Sequence, residues 1–380
     1  MNKFSNRWNQ SKNWNPFLAE KLFAQIYRWR KIGQNNHLVN PGWVTVDPSN
    51  LCNFDCVWCN SKEIRDKRKT ELSEEILMQL AEFLPKWGIE AVTVAGGGEP
   101  LLNPATADLI ERLVFSGVQV GVITNGSLID EFIPALAQCV WVSVSIDAGT
   151  SKMHHDLKGT YKPEVFNGIL ENIYELVTYA NVNKTVLSSN LPAYGVTYKY
   201  LLYPDNIMEV LAASCLAKSI GCKNICFRPA VTPFHRLGKD EIEFAEYQIH
   251  HYEEQMKEAR KLDDDAFNVY EYTYRTGENF KRDNCFDKCW SVFMSGTIQP
   301  SDKKGAFNFG LCCDRRGDEK LDLLHDEFDV NEIAEYWGCK KHWDIHRSID
   351  PKKCCQCTHI AHNQVYEQCI LNDCLTYRFI

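Results

Sequence analysis

Three thiols stand within eight residues at Cys52-Asn53-Phe54-Asp55-Cys56-Val57-Trp58-Cys59, just after the alternating run Trp43-Val44-Thr45-Val46. Three closely spaced thiolates can hold three irons of a four-iron, four-sulfur cluster and leave the fourth iron without a protein ligand. An open metal position is where a substrate or cofactor binds. The same thiols could also form half of a structural zinc site, and spacing alone leaves both readings standing.

A second chemical stretch follows another alternating run, Val92-Thr93-Val94. It reads Ala95-Gly96-Gly97-Gly98-Glu99-Pro100. A glycine run lets the backbone take φ > 0 and approach a ligand closely, so that its amides and carbonyls can bond a ligand amino group. Together the two motifs resemble those of radical S-adenosylmethionine (radical SAM) enzymes. The resemblance implies that Cys52, Cys56 and Cys59 carry a [4Fe-4S] cluster. It implies that Trp58, the aromatic before the third Cys, and the turn at Gly97, Gly98 and Glu99 lie at the SAM site.

Both motifs need strands to hold them, and residues 43 to 230 alternate strand with helix. Strands are expected at 43–48, 90–95, 118–124, 141–147, 196–203 and 223–229, with helical periodicity between them. One helix opens at Ser73 with Glu74 and Glu75 in its first turn. Six strand–helix units imply an α/β fold with a parallel sheet wound in one hand, open or part-closed, and the expected form is a partial (β/α)6 TIM-type barrel with functional loops at the carboxyl ends of the strands. In Trp141-Val142-Ser143-Val144-Ser145-Ile146-Asp147 the period of two puts Val142, Val144 and Ile146 on one face and the polar residues on the other. A polar face inside a barrel needs partners. The resemblance implies that SAM supplies them, with Ser145 and Asn125 as contacts. Asp147 either joins them or caps the following turn. Asn206 either lies near the adenosine or caps the helix starting at Ile207. Cys226 and Arg228 share one face of the sixth strand: Arg228 suits a substrate or SAM carboxylate, and Cys226 is either a hydrogen-atom donor or a small buried hydrophobe. Lys199 on the fifth strand is a similar catalytic candidate.

Ten of the 17 Cys follow residue 284. Ser295-Gly296-Thr297-Ile298 and the run ending Gly310-Leu311-Cys312-Cys313 read as a hairpin, and Cys354-x2-Cys357 follows. This order resembles the twitch or SPASM extension of radical SAM enzymes, which implies an auxiliary [4Fe-4S] cluster in a small Cys-rich α+β domain. The expected ligands are Cys289, Cys312, Cys354 and Cys357, with Cys285, Cys313 and Cys355 as replacements and a four-thiolate zinc site as the alternative. The expected domains are a basic arm and helix at 1–42, the radical SAM partial barrel at 43–239, a linking helix region at 240–284 and the Cys-rich domain at 285–380.

The arm carries seven Lys/Arg against one acidic residue, with Trp8, Trp14 and Trp29, so it is +6 where the rest of the 380-residue chain is −14. Asn15-Pro16 reads as a helix start, with Leu18, Leu22, Ile26 and Trp29 at helical spacing. The arm either covers one end of the barrel or grips a substrate. A net charge of −8 offers no general attraction to nucleic acid or acidic membranes, so nucleic acid is not the expected partner. Seventeen Cys without a signal peptide point to a reducing, cytoplasmic setting. No apolar run reaches 18 residues, so no membrane span is expected.

The resemblance implies reductive cleavage of SAM to a 5′-deoxyadenosyl radical, hydrogen abstraction, and a flavodoxin- or ferredoxin-type one-electron reductant. A small polar metabolite, sugar- or aminocyclitol-like, oxidised or dehydrated, is the leading substrate. The alternatives are a ribosomally made peptide (crosslinked, epimerised or excised), for which a forty-residue arm is short as a leader-binding domain, then a nucleotide or nucleic acid. A non-enzymatic iron–sulfur scaffold or electron carrier stands as the other class.

Overall fold

In the computed structural model the described residues are 19–32, 38–188, 195–233, 236, 239–271, 286–354 and 357–371. They build one ten-stranded sheet in the order β10-β9-β8-β1-β2-β3-β4-β5-β6-β7. The first seven strands are parallel: β1 Trp43–Val46, β2 Ala91–Val94, β3 Gln119–Thr124, β4 Trp141–Ser145, β5 Gly195–Leu202, β6 Asn224–Pro229 and β7 Asn268–Glu271. The helices crossing between them are α2 Lys62–Lys67 and α3 Glu74–Trp87, α4 Thr106–Phe115, α5 Ile129–Leu136, α6 Ser151–Lys158 and α7 Val165–Asn183, α8 Val210–Ser219, and α9 Glu246–Ala259, after an α1 at Ala19–Arg30. Parallel strands require such crossovers, and their helices cover the outer face of the sheet. The result is the α/β architecture of a partial barrel.

Each of the six expected strands is present, with its ends within two residues of those expected. The amphipathic pattern explains why. Val142, Val144 and Ile146 are fully buried in the apolar core beneath the helices, whereas Ser145 on the opposite face is half-buried. The α3 start is also local chemistry, because Ser73 accepts a hydrogen bond from Ile76 N (3.3 Å) and Gly88 closes the helix at φ +86°. In the region expected as a helical link, α9 is joined by β7. Its four residues pair in parallel with β6 and extend the barrel sheet, a pattern too short to read as a strand by periodicity.

The C-terminal segment begins with β8 Thr297–Pro300 and β9 Phe307–Gly310, the expected hairpin, followed by β10 Asp322–Glu327. Strand β8 pairs in parallel with β1, so the hairpin continues the barrel sheet. Helices α10 Glu332–Tyr336, α11 Lys340–Ser348 and α12 Ile360–Val365 complete it. Helix α1 packs where the two parts meet. Trp29 is buried with its ring 5.7 Å from that of His362, and Tyr366 OH donates to Ile32 O (2.9 Å). Arg28 grips both carboxylate oxygens of Glu90 (3.2 and 2.8 Å). Trp8, Trp14 and the expected helix start at Asn15-Pro16 lie outside the described residues. Among the described residues no helix is long and apolar enough to cross a membrane.

Candidate active site

The three-Cys loop leaves the carboxyl end of β1 and is tied down on every side. Asp55 N donates to Lys158 O (2.9 Å) and Val57 N to Leu157 O (3.0 Å), fastening the loop to the end of α6, while Cys59 N closes a turn on Cys56 O (3.0 Å). Arg65 on α2 reaches back to Phe54 O (2.6 Å) and Asp55 Oδ1 (3.0 Å) and bonds the Cys52 thiol. Burial pushes the Cys52 thiol up and Cys56 up to about 12, while Arg65 and Lys158 respectively act to lower them. Cys52 and Cys59 both act on Cys56, so the three thiols share one small space. Metal binding deprotonates thiols, and two nearby cations favour the thiolate state.

The glycine turn sits directly against this loop. Gly98 N donates to Ser49 O (3.1 Å) and Glu99 N to Leu51 O (2.7 Å). A Cβ on Gly98 would fall 1.9 Å from Leu51 O, so only glycine permits the approach. The closest approach made by Gly98 is therefore to the backbone leading into Cys52. At Gly97 a Cβ would stand 2.6 Å from Asn50 Oδ1, and the buried Nδ2 of Asn50 has no partner in the protein.

Glu99 is buried, and desolvation raises its pKa to about 7. Its carboxylate accepts from Thr124 Oγ1 (2.7 Å), Asn125 N (2.7 Å) and Leu101 N (3.2 Å). Asn125 Nδ2 then donates to Asn53 Oδ1 (2.7 Å), and Asn53 Nδ2 donates to Ser127 Oγ (2.8 Å). A continuous bonded path thus joins the ends of β2 and β3 to the Cys loop. Glu99 and Asn125, expected as cofactor contacts, act in the structure as clasps between those loops.

Two further expected contacts are engaged by other parts of the chain. Asp147 has φ +60° and is buried, its carboxylate paired with Lys158 Nζ and accepting from Leu201 N (2.5 Å). It neither caps the following turn nor is open to a ligand. That cap is Thr150, which accepts from Met153 N. Asn206 makes no cap bond either: Nδ2 donates to Asp147 O (2.8 Å) and Leu201 O (2.9 Å), and Oδ1 accepts from Tyr203 N (2.7 Å). Both amide ends are occupied in fixing the β4 and β5 loops. Trp58 is buried under Lys158 Nζ (5.4 Å from its ring centre) and beside Tyr203 (5.3 Å between centres). Ser145 lies half-buried on the lumen face, level with Lys199 and, across β5, with Cys226 on β6.

Burial drives the Cys312 thiol well up, with Cys289 and Cys357 among the groups acting on it. Cys289 is pushed up to about 11, by burial first and with Cys354 among the charges adding to it. Those four expected thiols therefore occupy one neighbourhood. Cys313 also acts on Cys312, and its own Sγ is 3.6 Å from His359 Nε2 and bonds Thr358. Cys285, Cys355 and Cys374 lie outside the described residues. Among the described residues no three His, Cys, Asp or Glu groups stand where they could hold a single metal ion.

Short polar links join the two thiol groups. Asn60, next to Cys59, donates from Nδ2 to Asp314 O (2.8 Å), and the Asp314 carboxylate accepts from Thr358 N and from Thr358 Oγ1 (2.9 Å), next to Cys357. Arg316 pairs with both oxygens of the fully buried Asp47 at the end of β1, with Nη2 to Oδ1 at 3.1 Å, and donates to Cys313 O.

Residues 46–188 match the model of the radical SAM superfamily. The chain carries a radical SAM domain. Over 152 residues it is 28% identical to the S-adenosylmethionine-dependent nucleotide dehydratase of Flammeovirga pacifica, covering 37% of this chain and 52% of that protein. Over 148 residues it is 28% identical to a probable GTP 3′,8-cyclase of Thermococcus kodakarensis, covering 36% and 45%. The chain spans about half the length of these curated relatives. Its fold matches that of anSMEcpe with bound AdoMet (TM-score 0.56, 16% identity, 80% and 83% of the chains) and of Streptococcus suis SuiB bound to S-adenosylmethionine (0.54, 15%, 86% and 72%). A radical SAM domain holds a [4Fe-4S] cluster and SAM. The residues here fit both: three convergent thiols flanked by Arg65 and Lys158, beside a glycine turn and the unpartnered Asn50 amide.

Arg65, Lys158 and the 314–316 link were not anticipated from the sequence. Arg65 alone carries a local signal, a basic residue six positions after Cys59 on a short helix.

Proposed function

We propose that this protein is a radical SAM enzyme that abstracts a hydrogen atom from a small polar metabolite, leading to its oxidation or dehydration. The observation that carries the reading is the three-thiol loop bonded to the glycine turn at the mouth of a barrel lined with polar side chains. Cys52, Cys56 and Cys59 would hold a [4Fe-4S] cluster beside SAM, and that pair would supply a 5′-deoxyadenosyl radical on one-electron reduction. Everything else falls to the chain's own residues. Arg65 and Lys158 offset thiolate charge, Glu99 and Asn125 lock the loops that frame the site, and Trp58 and Tyr203 exclude water at its edge.

Cys289, Cys312, Cys354 and Cys357 would hold an auxiliary [4Fe-4S] cluster, which would supply an acceptor for the second electron of an oxidation. The one-electron donor is of flavodoxin or ferredoxin type, and the setting is the reducing cytoplasm. A second reading, a nucleotide substrate, is favoured by the names of the two curated relatives. A peptide substrate has support from fold likeness alone.

The test is anaerobic incubation of reconstituted protein with SAM and dithionite. Formation of 5′-deoxyadenosine, abolished when Cys52, Cys56 and Cys59 are changed to Ala, supports the proposal. Its absence from the wild type would leave an iron–sulfur scaffold or electron carrier as the better account.

A further inference from the structure

Strands β4 to β7 run in register, so their side chains form rungs across the sheet. The deepest rung places Ser143, Thr197, Asn224 and Asn268 side by side, and the next places Ser145, Lys199, Cys226 and Tyr270. One rung higher, Leu201 pairs with Arg228. Residues of the opposite parity, such as Tyr198, Tyr200, Ile225 and Phe227, are buried in the core against the helices. The rungs therefore face the barrel lumen.

The other side of the lumen floor is filled. Trp43 Nε1 donates to Thr93 Oγ1 (3.0 Å), and the Trp141 ring covers Gly121, where a Cβ would stand 2.1 Å from it. One unpartnered hydroxyl lies there as well, Thr297 Oγ1, and the β5–β7 wall gathers more. Thr197, Asn224 and Tyr270 are 1%, 0% and 4% exposed. Yet Thr197 Oγ1, both ends of the Asn224 amide and Tyr270 OH have no hydrogen-bond partner. Buried polar groups in folded proteins are nearly always satisfied, so three neighbouring exceptions on one wall point to a ligand that completes them.

Two cations rise above this floor. Lys199 is pressed down to about 7 by burial and then by Arg228, so the two charges feel each other across β5 and β6. Asp147, which acts on Lys199 in the opposite sense, is already held by Lys158 and Leu201 N. An oxyanion between Lys199 and Arg228 relieves that repulsion.

We propose that the β5–β7 wall binds an anionic small metabolite, with Lys199 and Arg228 gripping its phosphate or carboxylate while Thr197, Asn224 and Tyr270 bond its hydroxyl or carbonyl groups. This rests on reading the lumen as the reaction chamber and names the class of substrate it takes. Cys226, between the two cations, lies beside the bound molecule.

The test uses anaerobically reconstituted full-length protein, calorimetry, and two probes, inorganic pyrophosphate and succinate. At least one probe binds the wild type, and Lys199→Met or Arg228→Met weakens it by about tenfold or more. Pyrophosphate alone identifies the phosphate source, and succinate alone the carboxylate source. The inference is overturned if neither probe binds, if neither variant matters, or if SAM affinity falls as far as probe affinity, which would assign the cations to the cofactor. A second measurement does not need a probe. Thr197→Val removes a hydroxyl that has no partner in the free protein, so the thermal midpoint stays level or rises. A fall in the midpoint would mean that the hydroxyl is satisfied internally and the floor awaits nothing. Wild-type 5′-deoxyadenosine formation separates this inference from the proposed function: probe binding without it sinks the function alone, and its formation without probe binding sinks the anion site alone.

Discussion

Removing the Arg316 side chain is the sharpest structural perturbation available. Asp47 is fully buried and the Arg316 side chain is 18% exposed, with two of its nitrogens on the two carboxylate oxygens. Arg316→Met leaves Asp47 charged without its partner in the interior. Breaking a buried pair from one side costs about 3–5 kcal/mol, far above the roughly 0–1 kcal/mol of an exposed pair. Changing both residues, Asp47→Asn with Arg316→Met, removes the stranded charge and recovers part of the loss, giving a coupling of about 2 kcal/mol. Urea unfolding of iron-free reduced protein, followed by tryptophan fluorescence, measures all four corners of the cycle. Because Arg316 also holds Cys313 O, the single variant should load less iron at the C-terminal thiols than at the loop thiols. A cost below about 1 kcal/mol with additive single effects would refute the reasoning, since the pair would then be behaving as a solvated one.

Gly98→Ala should abolish iron loading at the loop thiols, because its Cβ would overlap Leu51 O; iron analysis of reconstituted protein checks this. Burial holds the Glu99 pKa near 7 in the folded protein against 4.5 for the free group, so the folded state binds the extra proton between these values. Stability from this group is therefore fully present below pH 4.5 and is lost as pH rises through 7, by roughly 3 kcal/mol at most. Denaturation of iron-free Glu99→Gln protein across that range should show a shallower fall. Asp314→Ala removes both bonds to Thr358 and should lower iron retention at the C-terminal thiols in a Cys52/Cys56/Cys59→Ala background, with unchanged retention refuting a role for the link.

The parts written in local code were legible. Strand parity at Val142, Val144 and Ile146, the Ser73 cap, the hairpin before Cys312 and the three-Cys spacing each depend on residues close in sequence. What escaped depends on distant pairing. Strand β7 exists because β6 offers it an edge, and no periodicity in four residues announces it. Asp147 and Asn206 read from the sequence as either ligand contacts or caps, being polar residues at strand ends. Their actual partners, Lys158, Leu201 and Tyr203, come from segments brought near only by the fold. The doublet Cys312-Cys313 could not be divided by spacing, since successive residues share one neighbourhood, and the groups around Cys313, Asp47, Arg316 and Thr358, come from distant segments.

The most direct test of the central claim is electron paramagnetic resonance of the reduced cluster in protein whose Cys289, Cys312, Cys354 and Cys357 are all Ala. The account predicts about four irons per chain and a spectrum that shifts when SAM is added, because the remaining cluster has an iron open to it. A cluster whose spectrum ignores SAM, or no cluster at all, would contradict the assignment of Cys52, Cys56 and Cys59.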